Sequence, residues 1–119
     1  MQRHVNNANY FSYFEETRIE WLNSIKAKDP QAVNCVVVKV DCTFIKPITY
    51  PAELEIKLYG GNAGNSSLVM RAEIYVKGVL YAQGDATLVF INEESGKPMR
   101  MPEIVKKMVP GKEKSPERT

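Results

Sequence analysis

One histidine, two cysteines and no Cys-x-x-Cys pair leave this chain short of the donors a zinc site needs. No apolar run approaches the roughly 18 residues of a membrane span, and no signal-peptide core opens the chain. The net charge of +2 comes without a basic stripe interleaved with aromatics, which argues against nucleic acid as a partner. The two thiols, Cys35 and Cys42, fall in what reads as one strand. Their odd spacing puts them on opposite faces, and at ~3.3 Å per residue they stand ~23 Å apart, beyond disulfide reach. Reduced thiols and a cytoplasmic location are the simple reading. What remains is ordinary globular material: 119 residues, 44% hydrophobic and 25% charged, enough for one domain with its own core.

Glycine and proline are also missing from residues 7–26, NANYFSYFEETRIEWLNSIK. Phe11, Phe14, Leu22 and Ile25 fall there at helical spacing, with Tyr10, Ile19 and Trp21 widening the apolar side. Asn6 or Asn7 is a natural N-cap, and Lys28-Asp29-Pro30 ends the helix. Arg18 stands inside the apolar stripe, where a charge should be paired or at an interface edge; Glu15 at i−3 is its nearest candidate partner. Glu15 and Glu16 could also serve as a general base, against the plainer reading of a solvated face.

Beyond the helix the chain reads as strand. Residues 32–45 alternate, with Val36, Val38, Val40, Cys42 and Phe44 on one face and Lys39, Asp41 and Thr43 on the other. Pro47, Tyr50 and Pro51 make a turn, residues 52–59 form a second strand, and residues 60–65 form a loop by composition. Two further strands, 67–77 and 79–91, flank a tight turn at Lys77-Gly78. After a turn over 93–97, residues 103–109 form a short helix with Pro102 in its first turn. Residues 1–110 make the domain, and 111–119 a flexible charged tail. One long helix followed by an antiparallel meander predicts an α+β fold in which the sheet wraps the helix.

The chemistry concentrates at the start. His4-Val5-Asn6-Asn7-Ala8-Asn9-Tyr10-Phe11 puts an imidazole and side-chain amides at a helix N-terminus. Unpaired N–H groups and about half a unit of positive charge suit that place to a developing oxyanion. His4 alone would be a solvated histidine, and Asn6 and Asn7 plain caps. Capping and chemistry are compatible, because the cap sets the N–H geometry an oxyanion needs.

The block HVNNANYFSYFEETRIEWL resembles the signature of the hotdog-fold acyl-CoA thioesterases of the 4-hydroxybenzoyl-CoA thioesterase type. Weaker matches follow in order: Phe44-Ile45-Lys46-Pro47, the Ser66-Ser67 pair, Gly84 to Val89, and Gly96-Lys97-Pro98 with Met101-Pro102. The resemblance implies a hotdog fold and hydrolysis of acyl-CoA to a free acid and coenzyme A. It implies a site lined by His4, Asn6 and Asn7, with the backbone of Asn9 and Tyr10 holding the oxyanion. Phe11 and Phe14 would line the acyl pocket. Ser66, Ser67 and Arg71 would bind substrate, with Lys46, Lys57 and Lys97 as further cations for the phosphates of coenzyme A. No cofactor or metal is implied beyond coenzyme A as part of the substrate. A homodimer or dimer of dimers is expected, with His4 of one copy facing third-strand residues of the other.

The same resemblance puts a catalytic aspartate four residues before His4, which falls one residue upstream of Met1. The expectation is a longer reading frame carrying that aspartate and the strand before it, with this form crippled. The alternatives are a non-catalytic acyl-CoA binder, or an acyl-ACP thioesterase or dehydratase of the same fold.

Overall fold

The Gly- and Pro-free opening is a helix: in the computed structural model, which describes residues 7–30, 34–49 and 52–111, α1 spans Asn7–Lys28. Lys26 and Lys28 occupy its last turn, where cations suit the negative end of the helix dipole. Tyr10, Phe14, Arg18, Trp21 and Ile25 are buried along it in steps of i+4 and i+3, which keep one face. Leu22, half-buried, packs beside Trp21 and Ile25 as expected, whereas Ile19, expected on the apolar side, is 45% exposed.

Among the described residues four strands follow: β1 (Cys35–Phe44), β2 (Glu55–Ala63), β3 (Ser67–Val76) and β4 (Val79–Phe90); α2 (Glu103–Met108) comes last. They form one antiparallel sheet in the order β1-β4-β3-β2. The expected meander therefore holds for β2 to β4 only. β1 pairs with β4, so β1 and β2 are opposite sheet edges; Tyr50 and Pro51 of the expected turn lie outside the described residues. Ile48, fully buried after β1, packs with Tyr10 and Phe14. This packing replaces the simple turn expected around Pro47.

Two further expectations change. β1 carries a bulge, since Val37 faces Leu88 while Lys39 faces Thr87. A bulge adds a residue and flips the alternation beyond it. Cys35 and Cys42 consequently share the helix face: Cys35 packs against the cluster with Trp21 and Ile25, and Cys42 against the cluster with Tyr10 and Phe14. Val36, opposite Val89, leaves the face that Val40 occupies. The loop expected at 60–65 is instead largely strand, because β2 continues through Gly60 and Gly61 to Ala63. Glycine is required there by close approach. A Cβ on Gly60 would collide with the Val109 side chain, and the Gly60 N–H donates to the Pro110 carbonyl at 2.7 Å.

The Lys77-Gly78 turn is as expected, with both residues at positive φ (50° and 78°), the twist a two-residue hairpin needs. The core lies between helix and sheet in two clusters. Tyr10, Phe14, Ile48, Ala72, Ile74 and Ala82 fill the end under the helix start. Trp21, Ile25, Leu68, Leu88, Phe90 and Val105 fill the other end, where Trp21 Nε1–H donates to the Met108 carbonyl at 2.8 Å and ties α2 down.

Candidate functional site

Tyr10 fixes where the helix begins. Its ring lies 4.9 Å from that of Phe44 at the end of β1, and its hydroxyl accepts the Ile48 N–H at 3.2 Å. The first-turn N–H groups of α1, which have no partner within the helix, therefore sit over the point where β1 gives way to the segment holding Ile48. At this end an open groove of about 770 Å³ runs between Ile48, Thr49, Glu53, Leu54, the Lys77-Gly78 tip and Tyr81. The Lys46 ammonium stands 5.6 Å from the Tyr81 ring, a cation–π contact beside it. His4 and Asn6 lie outside the described residues, as do the side chains of Asn7, Asn9 and Phe11.

A second, smaller space opens under the middle of the helix. It measures about 110 Å³ and is bounded by Phe14, Glu15 and Arg18 above and by β1, β2, β3 and β4 below. Its floor is low because small residues adjoin in register, Ala72 opposite Gly84 and Ala86 opposite Met70. Gly84 is needed there. A Cβ would meet the Phe14 ring at 2.9 Å and the Asp41 carbonyl oxygen at 2.8 Å. Arg18, only 8% exposed, lines this hollow. Among the described residues it makes no ion pair within 4.0 Å, so the expected pairing with Glu15 is not formed. Burial lowers its pKa, and the nearby Glu15 charge only partly opposes that shift.

Ser66 and Ser67 lie elsewhere. They open β3 beside Phe90 and Val89, at the end of the sheet under the C-terminal half of α1. From Ser67 to Ile74, near the helix start, β3 rises by seven residues, or ~23 Å. One copy of the chain therefore does not bring the serines to the helix N-terminus. Arg71 is on the sheet face away from the helix, where Nε and a terminal nitrogen donate to both carboxylate oxygens of Asp85 at 2.7 and 2.8 Å. That bidentate bond holds Arg71 well above the usual arginine pKa. Lys97 lies in an exposed turn, and the Lys57 ammonium is 4.1 Å from the Tyr75 ring.

Sequence reasoning passed over Glu73. It is 1% exposed, and its two oxygens accept from Tyr59 at 2.8 Å and Tyr75 at 2.9 Å. Strand alternation predicts that these residues share a face; that two phenols close over the carboxylate is set by pairing β2 with β3. Cys42 is chemically quiet, because burial and then Asp41 push its thiol up to about 11. No group of three or more potential metal ligands gathers among the described residues, and no helix among them is long and apolar enough to cross a membrane.

Comparison with known proteins identifies the family. Residues 1–109 match the family model of the thioesterase-like superfamily. A thioesterase from Thermus thermophilus, solved with coenzyme A and zinc, is 28% identical with a TM-score of 0.76, over 89% of this chain and 78% of that one. A DHNA-CoA thioesterase from Staphylococcus aureus is 22% identical with a TM-score of 0.67, over 90% and 87%. A second Staphylococcus aureus protein, solved with CoA, is 15% identical with a TM-score of 0.77, over 88% and 70%. The two Staphylococcus proteins speak for the fold alone. The search of curated proteins gives no match.

Proposed function

The chain belongs to the thioesterase-like superfamily and has its hotdog fold, and from that premise we propose that it acts on acyl-CoA thioesters in a cleft shared by two copies. The observation that carries this reading is the family match over residues 1–109, supported by the 28% identity to a thioesterase solved with coenzyme A. The thioester carbonyl would point its oxygen at the first-turn N–H groups of α1. The aspartate expected upstream of Met1 would either attack the carbonyl carbon, forming an anhydride that water then hydrolyses to the acid, or take a proton from a water that attacks it. In both routes the C–S bond breaks and coenzyme A leaves as the thiolate. One oxyanion donor is typically worth ~3–4 kcal/mol in such a step. His4, Asn6 and Asn7 would line this tip, and Phe14 the acyl side.

Sharing between copies follows from two features. The serines and the helix start lie at opposite ends of one sheet, so a common site needs a second chain. β1 offers the surface for it: it is an edge strand whose Val36, Val37, Val38 and Val40 are 43–58% exposed. Long apolar edges of this kind are normally covered. A homodimer built on this edge, alone or as a dimer of dimers, covers them.

The test is release of coenzyme A from acyl-CoA by two forms, the chain as given and one extended upstream by a strand ending in aspartate. The extended form is expected to be at least about a hundredfold faster, on the scale of losing a catalytic group. Equal rates, or no release by either, would refute the mechanism.

A further inference from the structure

Among the described residues, Arg18 is the group of the helix–sheet interface whose chemistry the fold leaves unanswered. It is a guanidinium, 8% exposed, on the apolar stripe of α1 between Phe14 and Trp21. Among the described residues it has neither an ion pair nor a hydrogen bond. A buried charge with no ion pair or hydrogen bond is costly, the Glu15 charge only partly offsetting it, and natural chains keep one where something binds it. Its nitrogens are not sealed, since every fully enclosed side-chain nitrogen or oxygen among the described residues has a partner. Arg18 is among the residues that line the hollow of about 110 Å³.

That hollow has the character of a ligand pocket. Its floor is Ala72, Gly84, Ala86 and Met70, with Arg18 as the cation at its roof. It is somewhat smaller than the ~150 Å³ apolar cavity that takes up benzene in another protein. Asp41 and Asp85 border it but do not fill it with negative charge. They face each other in register with Arg71, on the opposite side of the sheet from Val40 and Ala86, and Asp85 is held by Arg71. Glu15 is exposed at the mouth.

Resting on the thioesterase reading above, we infer that Arg18 binds a carboxylate at the far end of the acyl chain, so that the preferred substrates are CoA half-thioesters of short dicarboxylic acids. The distance fits a short chain. Tyr10 and Arg18 are eight residues apart, or ~12 Å along the axis. Helical side chains lean toward the N-terminus, which brings the guanidinium nearer the thioester. A planar guanidinium meets a carboxylate with two parallel bonds, and a terminal methyl offers it none.

The test uses two non-hydrolysable thioethers of equal length, S-(5-carboxypentyl)-CoA and S-hexyl-CoA, with affinities measured by calorimetry. The wild type is expected to prefer the carboxylate ligand by roughly tenfold or more, the scale of a charge-assisted hydrogen bond. Arg18→Met, which fills the same space without charge, should abolish that preference and leave S-hexyl-CoA unchanged. Arg18→Lys should retain part of it. Equal affinities in the wild type, or a preference that survives in Arg18→Met, overturns the assignment. So does an Arg18→Met change that shifts only the dimer equilibrium, since a carboxylate of a second copy would then be the occupant. If the preference holds but the form extended upstream does not cleave adipyl-CoA, the hydrolase reading fails while the Arg18 assignment stands.

Discussion

β1 and β3 are both ten-residue strands rich in branched apolar residues, yet they end in opposite surroundings. β3, in the middle of the sheet under the helix, buries Leu68, Met70, Ala72 and Ile74, and on its far face Glu73 and Tyr75. β1, at the edge, leaves Val36, Val37, Val38 and Val40 exposed, and only Cys35 and Cys42 are half-buried. Composition does not separate the two strands; position does. A strand between two others under a helix is finished within one copy. An edge strand with valines on both faces is finished only by something outside it.

The largest break in this contrast comes from trimming one residue on each strand. Ile74→Ala should cost ~2–5 kcal/mol in urea unfolding, the usual range for a fully buried aliphatic. Val38→Ala, at a residue 58% exposed, should cost under ~0.5 kcal/mol in dilute protein. If a second copy covers β1, the Val38→Ala cost rises with protein concentration and that of Ile74→Ala does not. A concentration-independent cost at both positions would leave β1 bare.

A middle-sized effect is expected on β4, which joins the two strands. Gly84→Ala forces the Phe14 ring and the Asp41 carbonyl apart, an overpacking cost of ~1–3 kcal/mol in the same assay. A neutral result would mean that β1 shifts freely against β4.

The smallest effect concerns Cys42, the half-buried border of β1. Its folded-state pKa of about 11 lies above the ordinary 9.0, so the folded chain holds this proton more tightly than the unfolded one. The resulting stabilisation is complete below about pH 9 and is lost as pH rises through about 11. The unfolding free energy of wild type minus that of Cys42→Ala should therefore fall between those pH values. A flat difference would show the thiol to be open to water.

The reading of residues 7–26 as a helix needed only spacing and the lack of breakers, and its cap region carried the family signature. Strand positions were equally legible from alternation. What alternation missed were the bulge at Val38 and the strand character of Gly60-Gly61. A bulge has no signature in a run of valines, and a pair of glycines reads as loop unless Val109 is known to lie against it. At the site, Arg18 was visible as a charge in an apolar stripe. Its lack of a partner was not, since Glu15 at i−3 is within reach on any helix but does not close the distance here.

Sequence alone determined the long helix, the core of each strand, the hairpin at Lys77-Gly78 and the family, because those depend on local periodicity, on backbone preference and on a motif read in order. Tertiary structure decided that β1 pairs with β4, that Cys35 and Cys42 share a face, that Glu73 is enclosed by two tyrosines and that Arg18 lines a hollow. These depend on contacts between residues distant in the chain, whose energies no local pattern encodes.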